Sequence, residues 1–311
     1  MTATRRAPEA PSTVAGTEFD AGTVAAAGVS RRGRARTQVA QLLVAWLPLG
    51  FLLLAYAAAQ LINLPIGDDL VPGRHNALGF GLHVAEPATL DRAVFGVLPT
   101  AWLQQHLYAA GGSHWYDAIL AVVYVSHFVV IPLVTALLWF RVRDRFRPWI
   151  TAVLVMTVAG TVTYVVYPMA PPWMADELGI VDGVARISDI GWDQLHLAPV
   201  GELLTQSQGA SNPVAAMPSL HAAGAALVLL FFWPLVGVWR RALLVGYALA
   251  MGFVLVYTGE HYVVDVVAGW VAAALGVLAC RLWVRWRAGR STDARRRRLP
   301  ATATGRAPFA P

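Results

Sequence analysis

Six stretches of the chain, about 39–62, 117–140, 149–168, 216–236, 241–259 and 262–284, are each apolar over close to the ~20 residues that a helix needs to cross a bilayer. Lipid offers no partner to a backbone N–H or C=O, so runs of this length satisfy their polar groups as helices. The expected fold is therefore all-α, a polytopic membrane protein built as a bundle of six transmembrane helices. Composition agrees: 57% of the 311 residues are hydrophobic and 14% are charged, where a soluble domain carries roughly a quarter charged residues. The first stretch ends in AYAAAQ, which imitates a signal-peptidase site. The long polar region before it and the apolar LINLPI after it favour an uncleaved anchor.

The basic residues orient the bundle. All 24 are arginine, and 21 of them fall in the N-terminal tail, the 141–147 link, the 240–241 link and the C-terminal end. With six spans these positions share one side, and only Arg74, Arg92 and Arg186 lie on the other. The positive-inside rule then places both termini in the cytoplasm of a plasma-membrane protein. The net charge of +6 is thus a topology signal and an attraction to anionic lipid. No aromatic-interleaved basic patch of the kind that binds single strands is present, so nucleic acid is not an expected partner. Residues 1–37 read as a disordered cytoplasmic tail, 38–287 as the membrane domain and 288–311 as a second disordered, basic tail. The single cysteine, Cys280, lies inside an apolar run and reads as a packing residue.

Two long segments remain for the outer side, about 63–116 and 169–213. The first contains TLDRAVFGVLPTAWLQQHLY, with helical spacings broken at Pro99, and suggests interfacial helices. The second is acidic and opens with YPMAPPW, whose prolines end a helix.

The fourth span opens with NPVAAMPSLHAAGAA. Pro218 suits the first helical position, which would put Ser219, Leu220 and His221 in the first turn, where backbone N–H groups lack intrahelical partners. Such an N-terminus is an anion site, to which Ser219 adds a hydroxyl. The fifth span runs outward and delivers TGEHYVVD to the same surface. Polar groups at that level are expensive unless they have partners or work. His261 and Asp265 are four apart and would share a helical face. A carboxylate there fixes the imidazole tautomer and leaves the other ring nitrogen free to attack. Two histidines, 40 residues apart, thus reach one level on one side. The arrangement suits phosphoryl transfer: His261 attacks phosphorus, His221 protonates the leaving oxygen, and a phosphohistidine passes its phosphoryl group to water or an alcohol. Donors on the protein can neutralise the phosphate charge, so no metal or other cofactor is required. The chain has no HExxH, and the His/Asp spacing suits zinc poorly.

Beside this constellation, Glu260 reads as a water-binding group at the membrane surface, Tyr262 as an interface anchor and His127 as a histidine near mid-membrane that hydrogen-bonds to a neighbouring helix, with Ser126 a polar group near it. A reading of another class, a non-catalytic multipass transporter or scaffold whose His and acids bind ions or a partner, also fits these residues.

PSLH followed by HYVVD resembles the PAP2 superfamily of type 2 phosphatidic acid phosphatases. The PSLH form, YPMAPPW and NPVAAMPSLHA are most similar to the branch related to inositol phosphorylceramide synthases. The resemblance implies His261 as nucleophile, Asp265 as its orienting partner, His221 as acid and Ser219 as a phosphate contact. Two features of the family pattern are missing. The chain has no lysine for the Lys-x6-Arg-Pro element, and its Arg147-Pro148 falls on the cytoplasmic side; Leu255 stands where the arginine before the second histidine is expected. A phosphate normally pairs with a guanidinium or ammonium, so Arg186 is the leading outer-face candidate, ahead of Arg74 and Arg92. The implied activity is that of a lipid phosphatase or phosphotransferase at the outer face. The implied substrate is amphipathic: a lipid phosphate or diphosphate, or phosphatidylinositol donating phosphoinositol to a lipid or sugar acceptor.

Overall fold

The computed structural model describes residues 41, 46–67, 71, 73–108 and 113–298. The chain groups into two units, Met1–Leu47 and Pro48–Pro311, and the second holds the helical bundle. The expected 1–37 tail, the start of the first expected span and residues 299–311 lie outside the described residues.

Among the described residues five helices are long and apolar enough to cross a membrane: α1 (Trp46–Gly67), α4 (Trp115–Arg141), α5 (Arg143–Val166), α10 (Val238–Tyr257) and α11, whose apolar part is Val263–Arg287. Helix α11 continues to Arg298, past the boundary expected at 287. Shorter helices lie between them: α2 (Ala85–Phe95), α3 (Pro99–Leu107), α6 (Pro172–Glu177), α7 (Gly191–Gln194), α8 (Ala198–Gly209) and α9 (Leu220–Phe232). Among the described residues there is no named strand; isolated bridges join His83 to Met169 and Met169 to Ala215. The protein is thus an all-α, polytopic membrane protein.

The fourth expected span is the exception. Its apolar helix covers Leu220–Leu235 and is shorter than the five others. Ala215, expected at the edge of that span, lies instead in an extended strip bridged to Met169. Pro218 is not the first helical residue. Ser219 is the N-cap, with extended backbone, and its Oγ accepts from the N–H of Ala222 at 3.2 Å. The serine hydroxyl outcompetes the proline because it satisfies an orphan N–H of the first turn.

Helix α9 is the centre of the bundle, packing against α11, α10, α5 and α4. Its HAAGAAL run supplies the small residues that let helices approach without a hydrophobic driving force from lipid. At Gly269 of α11 an added Cβ would lie 2.3 Å from the Ser219 carbonyl oxygen, so glycine is required there. The outward faces carry exposed apolar side chains such as Leu53, Phe140, Leu243 and Leu275, as lipid contact demands.

In the first long connection α2 ends on Gly96 in the left-handed conformation, and Pro99 opens α3. The break expected at Pro99 is therefore the boundary between two helices. Proline is accepted at a first helical turn and not in an interior.

Candidate active site

The stretch TGEHYVVD is the junction of α10 and α11, and local rules explain its shape. Gly259 follows the last turn of α10 with φ 78°. The N–H of Glu260 donates to Leu255 O at 3.1 Å and that of Gly259 to Val256 O at 3.3 Å, the paired bonds of a Schellman stop. A Cβ at Gly259 would also lie 2.5 Å from Ala185 O, so conformation and space both demand glycine. Four residues on, at Val263, α11 starts. Asp265 sits at its third position and accepts from the N–H of Tyr262 at 2.9 Å, half of a capping box.

This corrects the expected reason for the His261–Asp265 pairing. His261 precedes α11, so the two do not share a helical face. They meet because the capping carboxylate turns back over the chain entering the helix. Nδ1 of His261 lies 3.5 Å from Oδ2 of Asp265, an ion-pair distance longer than a hydrogen bond. Nδ1 of His261 and Oδ1 of Asp265 are buried without hydrogen-bond partners. The carboxylate is wholly buried.

His221, in the first turn of α9, brings its ring centroid to 6.1 Å from that of His261. Its Nε2 is also buried without a partner. Ser219 is fully buried, and its N–H donates to the carbonyl of Asp265 at 3.0 Å. The structure therefore gathers His221, His261, Asp265 and Ser219 at one place, where α9 and α11 begin and α10 ends.

Arg186 joins them through Glu260. Its Nε and Nη2 donate to the two carboxylate oxygens of Glu260 at 2.9 and 3.1 Å, and its guanidinium lies over the Trp173 ring. Ser188 Oγ and Gln208 Nε2 also donate to Glu260, at 2.8 and 3.0 Å. The expectation that Glu260 binds water at the surface is thus overturned: it is buried and fully partnered. A carboxylate this enclosed needs several donors, and residues far away in sequence supply them.

Arg74 and Arg92 are exposed. Arg147 stands near the start of α5, about 25 Å along the helix from Tyr164, whose hydroxyl donates to Pro218 O beside the site. Leu255 is fully buried. Neither Arg147 nor Leu255 can supply the missing arginine.

Two buried residues without any signal in the sequence hold the junction. Asp91 of α2 accepts from the N–H groups of Val263 and Val264 at 2.8 and 3.1 Å, capping α11 from another helix. Burial raises the pKa of Asp91, and these two N–H groups oppose the rise. Gln104 of α3 donates to Ala185 O and Tyr257 O, both at 2.8 Å, and accepts from Ala185 N. Tyr262, expected as an interface anchor, is fully buried. Burial, with Asp265 and Asp91 nearby, raises its phenol pKa. Among the described residues no group of three or more His, Cys, Asp and Glu side chains is placed to hold a metal ion.

A family model described as the PAP2 superfamily matches residues 88–279, a range that contains the whole of this junction. The chain belongs to the PAP2 superfamily. It is similar to the phosphoinositol dihydroceramide synthase of Bacteroides thetaiotaomicron, at 25% identity over 207 residues that cover 63% of this chain and 67% of the relative. No solved structure matches it. Its membership and its apolar helices make it a multi-pass membrane enzyme of the lipid phosphatase and phosphotransferase class.

Proposed function

We propose that the protein transfers a phosphoryl or phosphodiester group from an amphipathic lipid phosphate through a phosphohistidine on His261, without a metal, at the outer face of the plasma membrane. The observation that carries this is the approach of His221 to His261, with Asp265 on the Nδ1 side of His261. That placement directs Nε2 of His261 to the reaction. Its lone pair forms the P–N bond as the P–O bond to the leaving group breaks. The leaving oxygen takes the proton of His221. Water or an alcohol then attacks phosphorus, the P–N electron pair returns to the imidazole, and the attacking oxygen gives its proton to His221. Ser219 and Arg186 contact the phosphate. Arg186 is held beside the nucleophile by its pairing with Glu260, the residue next to His261.

A second reading, transfer of inositol phosphate to a lipid or sugar acceptor, is favoured by the activity for which the Bacteroides relative is named. The site lies at the helix ends opposite Arg141, Arg143 and Arg241, in keeping with an extracytoplasmic site and cytoplasmic termini.

The test uses purified protein in detergent with phosphatidic acid, a polyprenyl diphosphate and phosphatidylinositol plus acceptor, beside His261→Ala. Phosphate release lost in the variant identifies a phosphatase. Headgroup transfer without phosphate release identifies the transferase. Full activity in His261→Ala refutes the nucleophile, and inactivation by EDTA with recovery on zinc refutes metal independence.

A further inference from the structure

We propose that His127 of α4 is the orienting partner of His221, as Asp265 is of His261. This rests on the reading of His221 as the acid of the reaction.

The ring of His127 lies 4.1 Å from that of His221, centroid to centroid, tilted by 38°. Tyr124, one turn earlier on α4, stacks on the same imidazole at 5.3 Å, and Phe128 meets it edge-on at 5.7 Å. Three rings of one helix thus surround His221. The fit is built from both helices: a Cβ on Gly224 of α9 would lie 3.3 Å from Nδ1 of His127. An alanine at 224 would require His127 to give by a few tenths of an ångström.

The sequence expectation for His127, a hydrogen bond to a neighbouring helix near Ser126, is not met. Ser126 bonds instead to Val123 O and to the hydroxyl of Tyr247, at 2.6 and 2.9 Å. Among the described residues the His127 side chain has no hydrogen-bond partner, although it lies about 18 Å along α4 from the first residue. An imidazole at that depth is costly, and a phenylalanine would fill the space without that cost. Of the three α4 rings around His221, Phe128 has no polar atom and Tyr124 accepts a hydrogen bond from Gln208 Nε2 at 3.0 Å through its hydroxyl. His127 alone has a ring nitrogen to offer. Each catalytic histidine has a buried, unpartnered ring nitrogen, Nδ1 of His261 and Nε2 of His221; the Asp265 carboxylate lies 3.5 Å from the first, and the His127 ring packs against the imidazole that carries the second. Catalytic hydrogen bonds are often long before substrate arrives and tighten around it.

The experiment uses the full chain in detergent, with phosphatidic acid, whose leaving group is poor, and p-nitrophenyl phosphate, whose leaving group is good. His127→Phe keeps the ring and removes its nitrogens; His127→Gln restores a polar group. The expected result is that His127→Phe lowers kcat on phosphatidic acid by about tenfold or more, with KM within about twofold. The loss on p-nitrophenyl phosphate is smaller, His127→Gln recovers part of the rate, and His127→Phe adds nothing in the background of His221→Ala. Equal losses on both substrates, or losses additive with His221→Ala, overturn the inference. Vanadate binding is the substrate-independent arm: affinity falls in His127→Phe and recovers in His127→Gln, and an unchanged affinity overturns the inference. If His221→Ala itself shows no leaving-group dependence, or vanadate does not bind the wild type, the acid assignment fails and the inference with it.

Discussion

The backbone N–H of Ser219 donates to the carbonyl oxygen of Asp265 at 3.0 Å, so the cap of one helix is fastened to the first turn of another. The two sequence motifs are therefore one structural unit. Moving either helix start moves both histidines.

Asp265 has two tasks that separate by mutation. Asp265→Asn keeps an oxygen for the N–H of Tyr262 and removes the charge beside His261. Asp265→Ala removes both. Asp265→Asn should fold with a near wild-type melting temperature and lose on the order of 10²–10⁴ in kcat. Asp265→Ala should in addition lose about 1 kcal/mol of stability from the broken cap. Turnover and thermal unfolding in detergent measure the two effects, and equal melting temperatures for both variants would contradict the capping role.

Asp91 caps α11 from α2, so Asp91→Ala should cost about 1–2 kcal/mol and lower activity by loosening the turn that holds Asp265. The pH dependence has a definite sign. Burial raises the pKa of Asp91 in the folded protein. Ionising it then costs more in the folded state than in the unfolded chain. Its titration favours folding most below the unfolded-state pKa, and that contribution is lost as pH rises from about 4 through the folded value. The stability of the wild type relative to Asp91→Asn should therefore decline over that window, as thermal melts at a series of pH values would record.

These contacts differ in how far their signals are local to the sequence. The helices announce themselves by apolar length, and PSLH and HYVVD carry local signals: a cap, a turn and a helix start. Asp91 carries none, because the N–H groups it caps lie 172 and 173 residues away. Gln104 is hidden for the same reason. Glu260 looks solvated in the sequence because its partner Arg186 lies 74 residues off, in a loop without periodicity. Pro218 misplaces a helix start because proline is permitted at the first position but does not compel it, whereas the Ser219 hydroxyl makes the deciding bond. His127 resembles any intramembrane histidine until the short fourth helix brings His221 down to its level.

Arg186 and Glu260 should be separable in the same way. Arg186→Ala leaves a buried carboxylate with two of its donors and should cost ~1–3 kcal/mol. It should also raise KM for a lipid phosphate. Glu260→Gln in the same chain removes the uncompensated charge, so the double variant should regain stability but not affinity. Recovery of both would mean that the pair is purely structural. Arg186→Lys should retain little of the affinity, since an ammonium cannot hold both oxygens of Glu260 as the guanidinium does and still be fixed beside the site.

The sidedness of the site is testable because the chain has one cysteine. Cys280 is buried, and Cys280→Ala gives a background without thiols. Asp193→Cys, on α7, and Arg145→Cys, at the start of α5, then report the two ends of the bundle; both positions are exposed. A membrane-impermeant maleimide applied to intact cells should label the Asp193→Cys chain, and should label the Arg145→Cys chain only after lysis. The reverse pattern would place the histidines in the cytoplasm. It would also mean that the arginines at the ends of α4, α5 and α10 do not obey the positive-inside rule, and the lipid phosphates available to the enzyme would then be those of the inner leaflet.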